Sequence, residues 1–504
     1  MGKMEYCSLK EYILEKCHHN YESIFIKEFE TSKTCTYGSF GQEIRSVALY
    51  FKKEGIKERE TVLLPMENTI SSLALFMGAI VSNIVPVPIA NEFIENELRA
   101  IVKNTNIRAI VVAHGKKKEL QVEFPFPILE YETPAQNIPE VNSLGNENRL
   151  DDIAYIAFTS GSTGKPKKIA ISNLNMLAEI QCMSDAYGFD KSIRHLCLLP
   201  IYHASGLYRN ILLPFHVGGE VVIVSKFVVE GFWNIIGTEK INFVQVVPSI
   251  LKMLVMNCKE TDPDLKNGLK CIGSASAPHP VSLIELFEKS FNVQICQGYG
   301  MTEATCGITL NPFEIGKRKL GSVGKPLEVN KLIVCNEKGE TLLPGEVGKI
   351  KISGDNVAKN CLNSKNETSE KQKSDWLDTG DYGNLDDDGF LWIVGRESDL
   401  IKRGGYRIAP NEIEDVICEA FPIVESAVIG VPHPILGQDI VAFITKNTND
   451  NISSRKVISR IKTMISSFKI PSRILFIEFI PKNGVGKVDR NKLLEYYTES
   501  VGNS

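Results

Sequence analysis

A chain of 504 residues is too long for one hydrophobic core, because single cores stop growing at roughly 250 to 300 residues. Its 43% hydrophobic and 23% charged residues are typical of a folded globular protein and exclude a disordered chain. The formal net charge of -4 gives no bulk attraction to nucleic acid or to an anionic membrane. Several domains and small-molecule partners are therefore expected.

The cysteines favour a reducing compartment. All 12 occur singly, from Cys7 to Cys418, without a C-x-x-C pair or a nearby histidine spacing that would form a zinc site. Residues 1–10 carry charge without an apolar core, and the C-terminal Gly502-Asn503-Ser504 is not a peroxisomal signal. We expect reduced thiols and a cytoplasmic location.

Residues 69–91 carry no charge and are long enough to span a bilayer. Within them, Ile70, Leu73 and Ile80 have the spacing of a buried helix, and Val85-Pro86-Val87-Pro88 then breaks into an extended segment. A buried helix followed by a strand of a parallel sheet explains both halves of the stretch. This interpretation is favoured over a membrane span.

The pattern of elements predicts an α/β fold with a β-rich unit. From about residue 35 to 310, helical patterns alternate with four apolar runs, at Thr61–Leu64, Ala109–Val112, Val221–Val224 and Phe243–Val247. This alternation indicates largely parallel sheets in α/β layers. After about residue 316, runs at Leu332–Val334, Gly348–Ile352 and Phe390–Val394 are separated by the turn signals Lys338-Gly339 and Asp388-Gly389. Antiparallel hairpins are expected there.

A separate small domain is predicted after residue 397. It contains a helix near Pro410–Ala420, strands near Val424–Val431 and Ile440–Thr445, and a helix near Ser453–Ser467. We therefore predict a large domain at 1–397, with two layered α/β sheets to about 315 and a small antiparallel unit at about 316–397. A small α+β domain follows at 398–504. The polar residues 360–373 are typical of a mobile surface loop.

The strongest local motif is Thr159-Ser160-Gly161-Ser162-Thr163-Gly164-Lys165-Pro166-Lys167, after the apolar strand Ile153–Phe158. Glycines and small hydroxyl residues let backbone N–H groups approach a polyphosphate, and the lysines add positive charge. The spacing is not that of the common P-loop, and Gly298-Tyr299-Gly300 lacks the third glycine of a dinucleotide fingerprint. Taken alone, the motif is a phosphate-binding loop or a plain loop.

Seven motifs in a fixed order resemble the adenylate-forming superfamily, and in particular the AMP-dependent acyl- and aryl-CoA ligases. They are residues Thr159–Lys167, Tyr202-His203-Ala204-Ser205-Gly206, Gly298-Tyr299-Gly300-Met301-Thr302-Glu303, Asp378-Thr379-Gly380-Asp381, Gly395-Arg396, Lys402-Arg403-Gly404-Gly405-Tyr406-Arg407-Ile408 and Gly486-Lys487-Val488-Asp489-Arg490. The resemblance runs over nearly the whole chain. It implies activation of a carboxylic acid by ATP, followed by transfer of the acyl group to a thiol.

The resemblance also implies a role for each motif residue. Thr302 would donate to the phosphates and Glu303 would hold Mg²⁺ against them, although a lone Thr-Glu pair is equally typical of a helix N-terminus. Asp381 would accept hydrogen bonds from the ribose hydroxyls, although it could also be a plain turn carboxylate. Arg396 would contact the ribose or the phosphate, although it could also form an ion pair at the end of a strand. The remaining AMP contacts would come from Ser276, Ala277, Pro278, Tyr299, Gly300 and Met301, with Ser276-Ala277-Pro278 along the adenine and Tyr299 stacked on its other face.

Lys487 stands in a glycine-flanked segment, where a surface lysine would be unremarkable. In the family, the lysine at this place meets the substrate carboxylate and the α-phosphate when the small domain closes. We therefore expect Lys487 to be the main catalytic residue, with Thr302 and His203 beside it. The hinge of that domain is expected at about 396–399, around Ser398.

The acid is expected not to be an α-amino acid. Amino-acid-activating members of the family usually carry an aspartate near the segment that matches Tyr202–Gly206, where it pairs with the substrate ammonium. This chain has no carboxylate in Tyr202–Gly206, which implies an aryl or fatty acid as substrate. His203, followed by Gly206, resembles the histidine that borders the acyl pocket, although a lone histidine is commonly a core or cap residue. We expect the pocket to be formed by His203, Val247, Ala275 and Gly298.

Coenzyme A is the expected thiol, since Gly430–Pro434 and Phe468–Pro471 also resemble CoA ligases. A carrier-protein phosphopantetheine is the alternative, because it presents the same thiol. A catalytically silent nucleotide-binding protein is disfavoured by Thr302, Glu303, Asp381 and Lys487. Three departures from the family pattern are Lys168 after the loop, Ser398 at the hinge, and Asn360-Cys361 for a common glycine-tyrosine; they bear on the hinge and the thiol step.

Overall fold

The computed structural model describes residues 8–91, 95–103, 105–117, 124–132, 149–160, 166–257, 268–277, 279–314, 316–358, 360–362, 368–371, 375–421, 425–445, 452–482 and 488–502. The α-helices within them are α1 Leu9–His19, α2 Tyr37–Lys53, α3 Ile70–Val81, α4 Glu95–Lys103, α5 Asn173–Tyr187, α6 Leu213–Val217, α7 Phe232–Thr238, α8 Pro248–Met256, α9 Val281–Phe291, α10 Pro410–Ala420, α11 Ser454–Ile461 and α12 Arg490–Gly502.

The strands are β1 Ile24–Glu28, β2 Thr34–Thr36, β3 Thr61–Met66, β4 Val85–Ala90, β5 Ile107–Ala113, β6 Ile128–Tyr131, β7 Ile153–Ser160, β8 Pro166–Ser172, β9 Arg194–Cys197, β10 Glu220–Ile223, β11 Phe243–Val246, β12 Cys271–Ser274, β13 Ile295–Tyr299, β14 Thr309–Leu310, β15 Lys325–Pro326, β16 Lys331–Cys335, β17 Gly348–Ser353, β18 Asn360–Leu362, β19 Thr368–Lys371, β20 Leu377–Leu385, β21 Leu391–Arg396, β22 Ile401–Arg403, β23 Tyr406–Ile408, β24 Ser426–His433, β25 Gly437–Thr445 and β26 Arg473–Ile477. A π-helix at Ser205–Leu212 precedes α6, and short 3-10 helices lie at Thr302–Ala304 and Ser467–Lys469.

The largest sheet has nine strands in the order β15-β14-β13-β12-β11-β9-β10-β1-β2. The six strands from β13 to β1 are parallel, and antiparallel strands lie at both edges. Hydrophobic clusters cover both faces, so β10 and β11 are buried on both sides. This burial is why their sequences show continuous apolar runs rather than alternation. The parallel α/β sheet predicted from sequence is confirmed.

A second parallel sheet has the order β4-β3-β5-β6. Helix α3 lies against it, and every residue of α3 except Ser71 is buried. A helix that is covered on all sides needs no polar face, which explains the uncharged stretch before β4. In the described part of the chain, no helix combines the length and apolar character that a bilayer crossing requires. The helix-then-strand interpretation of residues 69–91 is confirmed.

Two smaller sheets are antiparallel. One, with the order β16-β17-β20-β21, is the hairpin unit predicted after residue 316. The other has the order β19-β18-β8-β7 and was not predicted. The expectation of a loop over residues 360–373 was wrong for residues 360–362 and 368–371, since β18 pairs with β8 and β19 with β18. Residues 363–367 and 372–373 lie outside the described part of the chain. Short strands near a sheet edge do not need the apolar alternation by which a strand is recognised in sequence.

The last unit is α+β, as predicted. Its sheet has the order β23-β22-β25-β24, with β26 parallel to β25, and all of these strands begin after residue 400. Two hydrophobic clusters within it draw only on residues from 401 onward, which gives the unit cores of its own. Helix α11 ends at Ile461, earlier than predicted, and the 3-10 helix at Ser467–Lys469 follows.

A buried carboxylate connects α5 to the turn that follows β13. Glu179 is fully buried on α5; its Oε1 accepts the Gly307 N–H at 2.5 Å and its Oε2 accepts the Asn356 side-chain amide at 2.8 Å. The Thr305 hydroxyl donates to the Asn356 carbonyl at 2.5 Å, and Thr305 itself has a left-handed φ of 63°. Burial raises the pKa of Glu179 to about 7, against the opposing effect of these hydrogen bonds and of Arg209. One carboxylate thus holds three segments together.

We expect Glu179→Gln to change how stability depends on pH. The folded chain holds this proton more tightly than the unfolded chain, so the stabilising effect of the Glu179 proton is complete below about pH 4.5 and is lost as the pH rises through about 7. Relative to the variant, the wild type should lose about 3 kcal/mol of unfolding free energy over this range. Urea unfolding at pH 5 and pH 8 measures the difference.

Glu230→Gln is the matched control for this experiment, because Glu230 is exposed. Its stability curve should run parallel to that of the wild type. A Glu179→Gln curve that also runs parallel would show that the buried carboxyl group does not titrate in this range.

Candidate active site

The four residues predicted to form the acyl pocket lie beyond one edge of the nine-stranded sheet. The register Val246↔Ser274↔Gln297 places Val247, Ala275 and Gly298 as the next residues of three adjacent parallel strands. His203 follows β9, which pairs with β11. Ligands of open parallel sheets bind beyond the carboxyl ends of the strands. The register therefore assembles at one edge residues that lie far apart in sequence.

His203 is partly buried, with its ring 4.3 Å from that of Tyr202. The π-helix begins two residues later and carries Gly206 in its first turn. A Cβ at Gly206 would lie 2.1 Å from the carbonyl oxygen of Pro200, a distance that no side chain tolerates. Glycine is therefore required here for the π-helix to pass this close to the segment after β9.

The segment after β12 brings Ser276 and Ala277 to the same edge, and Pro278 lies outside the described residues. Ser276 has a φ of 79°, a left-handed conformation that is uncommon for a serine. His279 follows, with its Nε2 2.6 Å from the Ser274 Oγ. Desolvation lowers the pKa of His279 to about 4, so the ring is neutral near pH 7. Sequence reasoning missed His279, because a lone histidine without partner spacing carries no signal.

Tyr299, Asp381 and Arg396 form a cluster at the end of β13. The Tyr299 hydroxyl donates to Asp381 Oδ2 at 2.5 Å, and Arg396 Nε lies 3.3 Å from Asp381 Oδ1. Asp381 and Arg396 are opposite each other in the β20–β21 ladder, and the Asp381 side chain is 6% exposed. Burial and the adjacent carboxylate raise the pKa of Tyr299 well above its usual value. The phenol therefore stays a donor, and Asp381 is a buried acceptor beside a cation.

Thr302 and Glu303 lie in the 3-10 helix at the start of the turn that Glu179 holds. The Ala358 N–H donates to the Glu303 carbonyl at 2.8 Å. Gly300 lies just before this helix and close to Cys306, so that a Cβ added to Gly300 would lie 1.7 Å from the carbonyl oxygen of Cys306. The backbone of the Gly300–Met301–Thr302–Glu303 segment is thus fixed from both sides.

Lys167 brings the phosphate motif to Glu303. Its Nζ lies 3.6 Å from Glu303 Oε1, and its side chain is 46% exposed. Strands β7 and β8 pair in an antiparallel register that sets Thr159 opposite Lys167 and Ser160 opposite Pro166. The motif therefore belongs to a hairpin, not to a strand–helix turn. Its central residues Gly161, Ser162, Thr163, Gly164 and Lys165 lie outside the described residues.

The predicted hinge is an exposed connection between β21 and β22. The Glu397 N–H donates to the Gly380 carbonyl at 2.9 Å, and the Ser398 hydroxyl donates to Asp399 at 2.8 Å. Lys349 lies 3.0 Å from Glu397. Arg396, which contacts Asp381, is thus only two residues from Ser398.

Lys487 lies outside the described residues, and a bridge between Lys482 and Val488 brackets its segment. Glu425 contacts both parts of the chain, with Lys252 of α8 at 3.8 Å and Lys482 at 2.6 Å. The Lys252–Glu425 ion pair connects the α+β unit to helix α8, whereas the Lys482–Glu425 pair lies within the α+β unit.

Comparison with known proteins gives consistent matches. Residues 15–361 match the AMP-binding enzyme family, and residues 412–487 match the AMP-binding enzyme C-terminal domain. An oxalate–CoA ligase of Saccharomyces cerevisiae is 28% identical over 88% of each chain. A long-chain-fatty-acid–CoA ligase of Bacillus subtilis is 32% identical over 69% of this chain and 62% of its own.

A solved structure shows the same fold. ATP-bound MatB from Rhodopseudomonas palustris has a TM-score of 0.86 and 23% identity, with 96% of this chain and 98% of that one covered. Together with the family match, which spans most of the residues that carry the candidate site, this confirms the resemblance seen in the motifs. The chain belongs to the AMP-binding enzyme family of adenylate-forming ligases.

Proposed function

We propose that this enzyme activates a carboxylic acid with ATP and transfers the acyl group to coenzyme A. The acid carboxylate attacks the α-phosphorus of ATP, forming an acyl-AMP and releasing pyrophosphate. The thiol of coenzyme A then attacks the acyl carbon, giving a thioester, AMP and a proton. The observation that carries this proposal is a pair of contacts near the end of β13, Lys167 with Glu303 and Asp381 with both Tyr299 and Arg396, which bring together four separate segments of the chain.

The cluster around Asp381 suits the nucleoside. An ionised carboxylate is an acceptor only, so Asp381 can accept two ribose hydroxyls if Tyr299 and Arg396 rearrange or share its oxygens. Ser276 and Ala277, which are partly exposed beyond β12, would lie along the adenine together with Pro278 of the same segment. Tyr299 would stack on the other face of the adenine. Gly300 and Met301 connect this part of the site to Thr302. These roles are proposals that rest on the family match and on the shared sheet edge.

The phosphates would lie between the hairpin and the Thr302–Glu303 turn. Lys167, half-exposed and 3.6 Å from Glu303, can turn toward a polyphosphate together with the Thr159–Lys165 backbone. Mg²⁺ fits this donor set, because it is typically held by one or two carboxylates together with substrate phosphates. Glu303 supplies one carboxylate, and no cluster of three or more metal-ligating side chains exists among the described residues. Bound there, the ion would neutralise charge on the phosphate oxygens.

The acceptor distinguishes two versions of the function. Coenzyme A is favoured, since both relatives named above are CoA ligases. Loading of a carrier-protein phosphopantetheine remains the second candidate, on the same thiol chemistry. We place the reaction in the cytoplasm, where the nine unbridged cysteines of the described residues would stay reduced.

The direct test is carboxylate-dependent exchange of pyrophosphate into ATP, followed by thioester formation. We expect exchange with at least one non-amino carboxylic acid from a panel of short, long and aromatic acids, and thioester formation with coenzyme A. Thioester formed with holo carrier protein but not with coenzyme A would replace the proposed acceptor. No exchange with any acid, from a protein that still binds ATP, would contradict the proposed function.

Lys487→Ala should leave folding and ATP binding nearly intact while lowering adenylation by about two to three orders of magnitude. The reason is that Asp381 and Lys167 are proposed to hold the ground-state nucleotide, whereas Lys487 would meet the reacting groups only on closure. Single-turnover measurement of pyrophosphate release tests this. Lys492→Ala, an exposed lysine of α12, is the control and should react normally. Normal pyrophosphate release from Lys487→Ala would mark Lys487 as a surface lysine.

Ser398→Pro should impair one half-reaction far more than the other. Proline fixes φ at 398 and restricts Glu397, which would hinder rotation of the small domain. Among the described backbone hydrogen bonds none uses the Ser398 N–H, so the folded state should tolerate the change. Adenylation and thioester formation from supplied acyl-AMP are timed separately, with Ser398→Ala as control. Equal loss in both half-reactions would place the pivot elsewhere.

A further inference from the structure

A buried cation lies next to the proposed acyl pocket. Arg209 is on the π-helix and only 3% exposed. A Cβ placed on Gly298 would lie 3.2 Å from both Nη1 and Nη2 of this guanidinium. Arg209 therefore occupies the space that a side chain at 298 would take, on the strand that ends at the proposed pocket.

The guanidinium is under-satisfied. Within the described residues, neither its Nε nor its Nη1 has a hydrogen-bond partner. Burying a guanidinium with unmade hydrogen bonds is unfavourable unless an anion binds to it. The donor geometry of arginine, with two parallel N–H bonds, matches a carboxylate or another planar or tetrahedral oxyanion.

The surrounding side chains do not neutralise this charge at close range. Glu179 is the acidic group whose electrostatic influence reaches Arg209, yet no ion pair within 4.0 Å joins them among the described residues. Both carboxylate oxygens of Glu179 already accept from Gly307 and Asn356. Cys306, which interacts with the guanidinium, stays a neutral thiol because burial raises its pKa to about 12.

A second donor without a partner lies in the same neighbourhood. The Tyr187 hydroxyl is buried and has no hydrogen-bond partner among the described residues. Burial raises the pKa of Tyr187, so the phenol remains protonated, and Arg209 is the nearest source of the opposing electrostatic effect. Arg209, with its Nε and Nη1 atoms unpaired among the described residues, thus lies next to Gly298 and within electrostatic reach of the unpaired Tyr187 hydroxyl.

We infer that Arg209 binds a second anionic group of the acid, so that the preferred substrate is a carboxylic acid carrying a further carboxylate or sulfonate. The inference rests on the proposed function, because only that function makes the edge at Gly298 an acyl pocket. One acidic group would react with ATP while the other is held by the guanidinium. The aryl or fatty acid expected from the motifs is narrowed accordingly to acids with two acidic groups.

The wild-type enzyme tests this with matched acids. Malonate, succinate and glutarate are compared with their monomethyl esters and with the monocarboxylic acids of equal carbon number, and 3-sulfopropionate tests sulfonate against carboxylate. We expect kcat/KM in pyrophosphate exchange to be at least about 100-fold higher for the best dianionic acid than for its ester. Equal or higher kcat/KM for the esters and monocarboxylic acids would overturn the inference. A preference for the sulfonate would support it and identify the second group.

Substitutions then assign the preference to Arg209. Arg209→Gln should lower the ratio of kcat/KM for the dianionic acid to kcat/KM for the monoanionic acid by about 100-fold. Arg209→Lys, which keeps the positive charge, should restore part of this ratio. Arg194→Gln is the control, since Arg194 is a partly buried arginine whose ion pairs are with Glu220 and Glu239. An unchanged ratio of dianionic to monoanionic acid in folded Arg209→Gln would overturn the assignment.

The outcomes separate this inference from the proposed function. If monoanionic acids support exchange and thioester formation as well as dianionic acids do, the function stands and the role of Arg209 falls. If no acid supports exchange, both fall. Should Arg209→Gln not fold, the wild-type ratio between matched acids still decides, because it needs no variant.

Discussion

The active-site geometry depends on one buried carboxylate. Glu179 joins α5 to the turn at Gly307 and to Asn356, and through these contacts it fixes the segment that carries Thr302 and Glu303. A glutamate on the buried face of a helix costs desolvation energy, and this burial raises the pKa of Glu179. Neutral amide donors satisfy both oxygens, so the group need not be ion-paired to be stable. A fully apolar residue at this position would leave the Gly307 N–H without its acceptor and would remove one of the acceptors of the Asn356 amide.

The two polar clusters of the site differ in how firmly their charges are held. Asp381 is buried, accepts from a protonated phenol and lies beside Arg396 across a strand ladder, so its position is set before any ligand arrives. The Lys167–Glu303 contact is longer, and the lysine is almost half exposed. Its ammonium can exchange one anion for another at little cost, because surface pairs contribute about 0–1 kcal/mol. The proposed nucleoside site is therefore the more rigid of the two, and the proposed phosphate site the more adjustable.

The sequence predicted the parallel sheets, the hairpin unit and the small α+β unit, because apolar runs and turn signals are local patterns. It could not predict the contacts that join distant segments. Glu179 is one of two charged residues in α5 and Arg209 is the charged residue of the π-helix, and nothing in their sequence neighbours marks them as buried. Strands β18 and β19 were missed because a polar stretch near a sheet edge does not alternate. The motif Thr159–Lys167 was interpreted only as a loop after a strand, because the residues of β8 do not mark it in sequence as a second strand that pairs with β7.

Gly206 and Gly300 set a limit on how this enzyme could acquire new specificities. At both positions backbone meets backbone, with an oxygen 2.1 Å and 1.7 Å from where a Cβ would be. A clash with a main-chain carbonyl cannot be relieved by a rotamer change, so each substitution would have to move a whole strand end or π-helix. Mutational libraries that vary the segments around His203 and Thr302 should therefore leave these two codons fixed. Diversity is better placed at the proposed pocket residues Val247 and Ala275 and at Arg209, because these positions already carry a side chain.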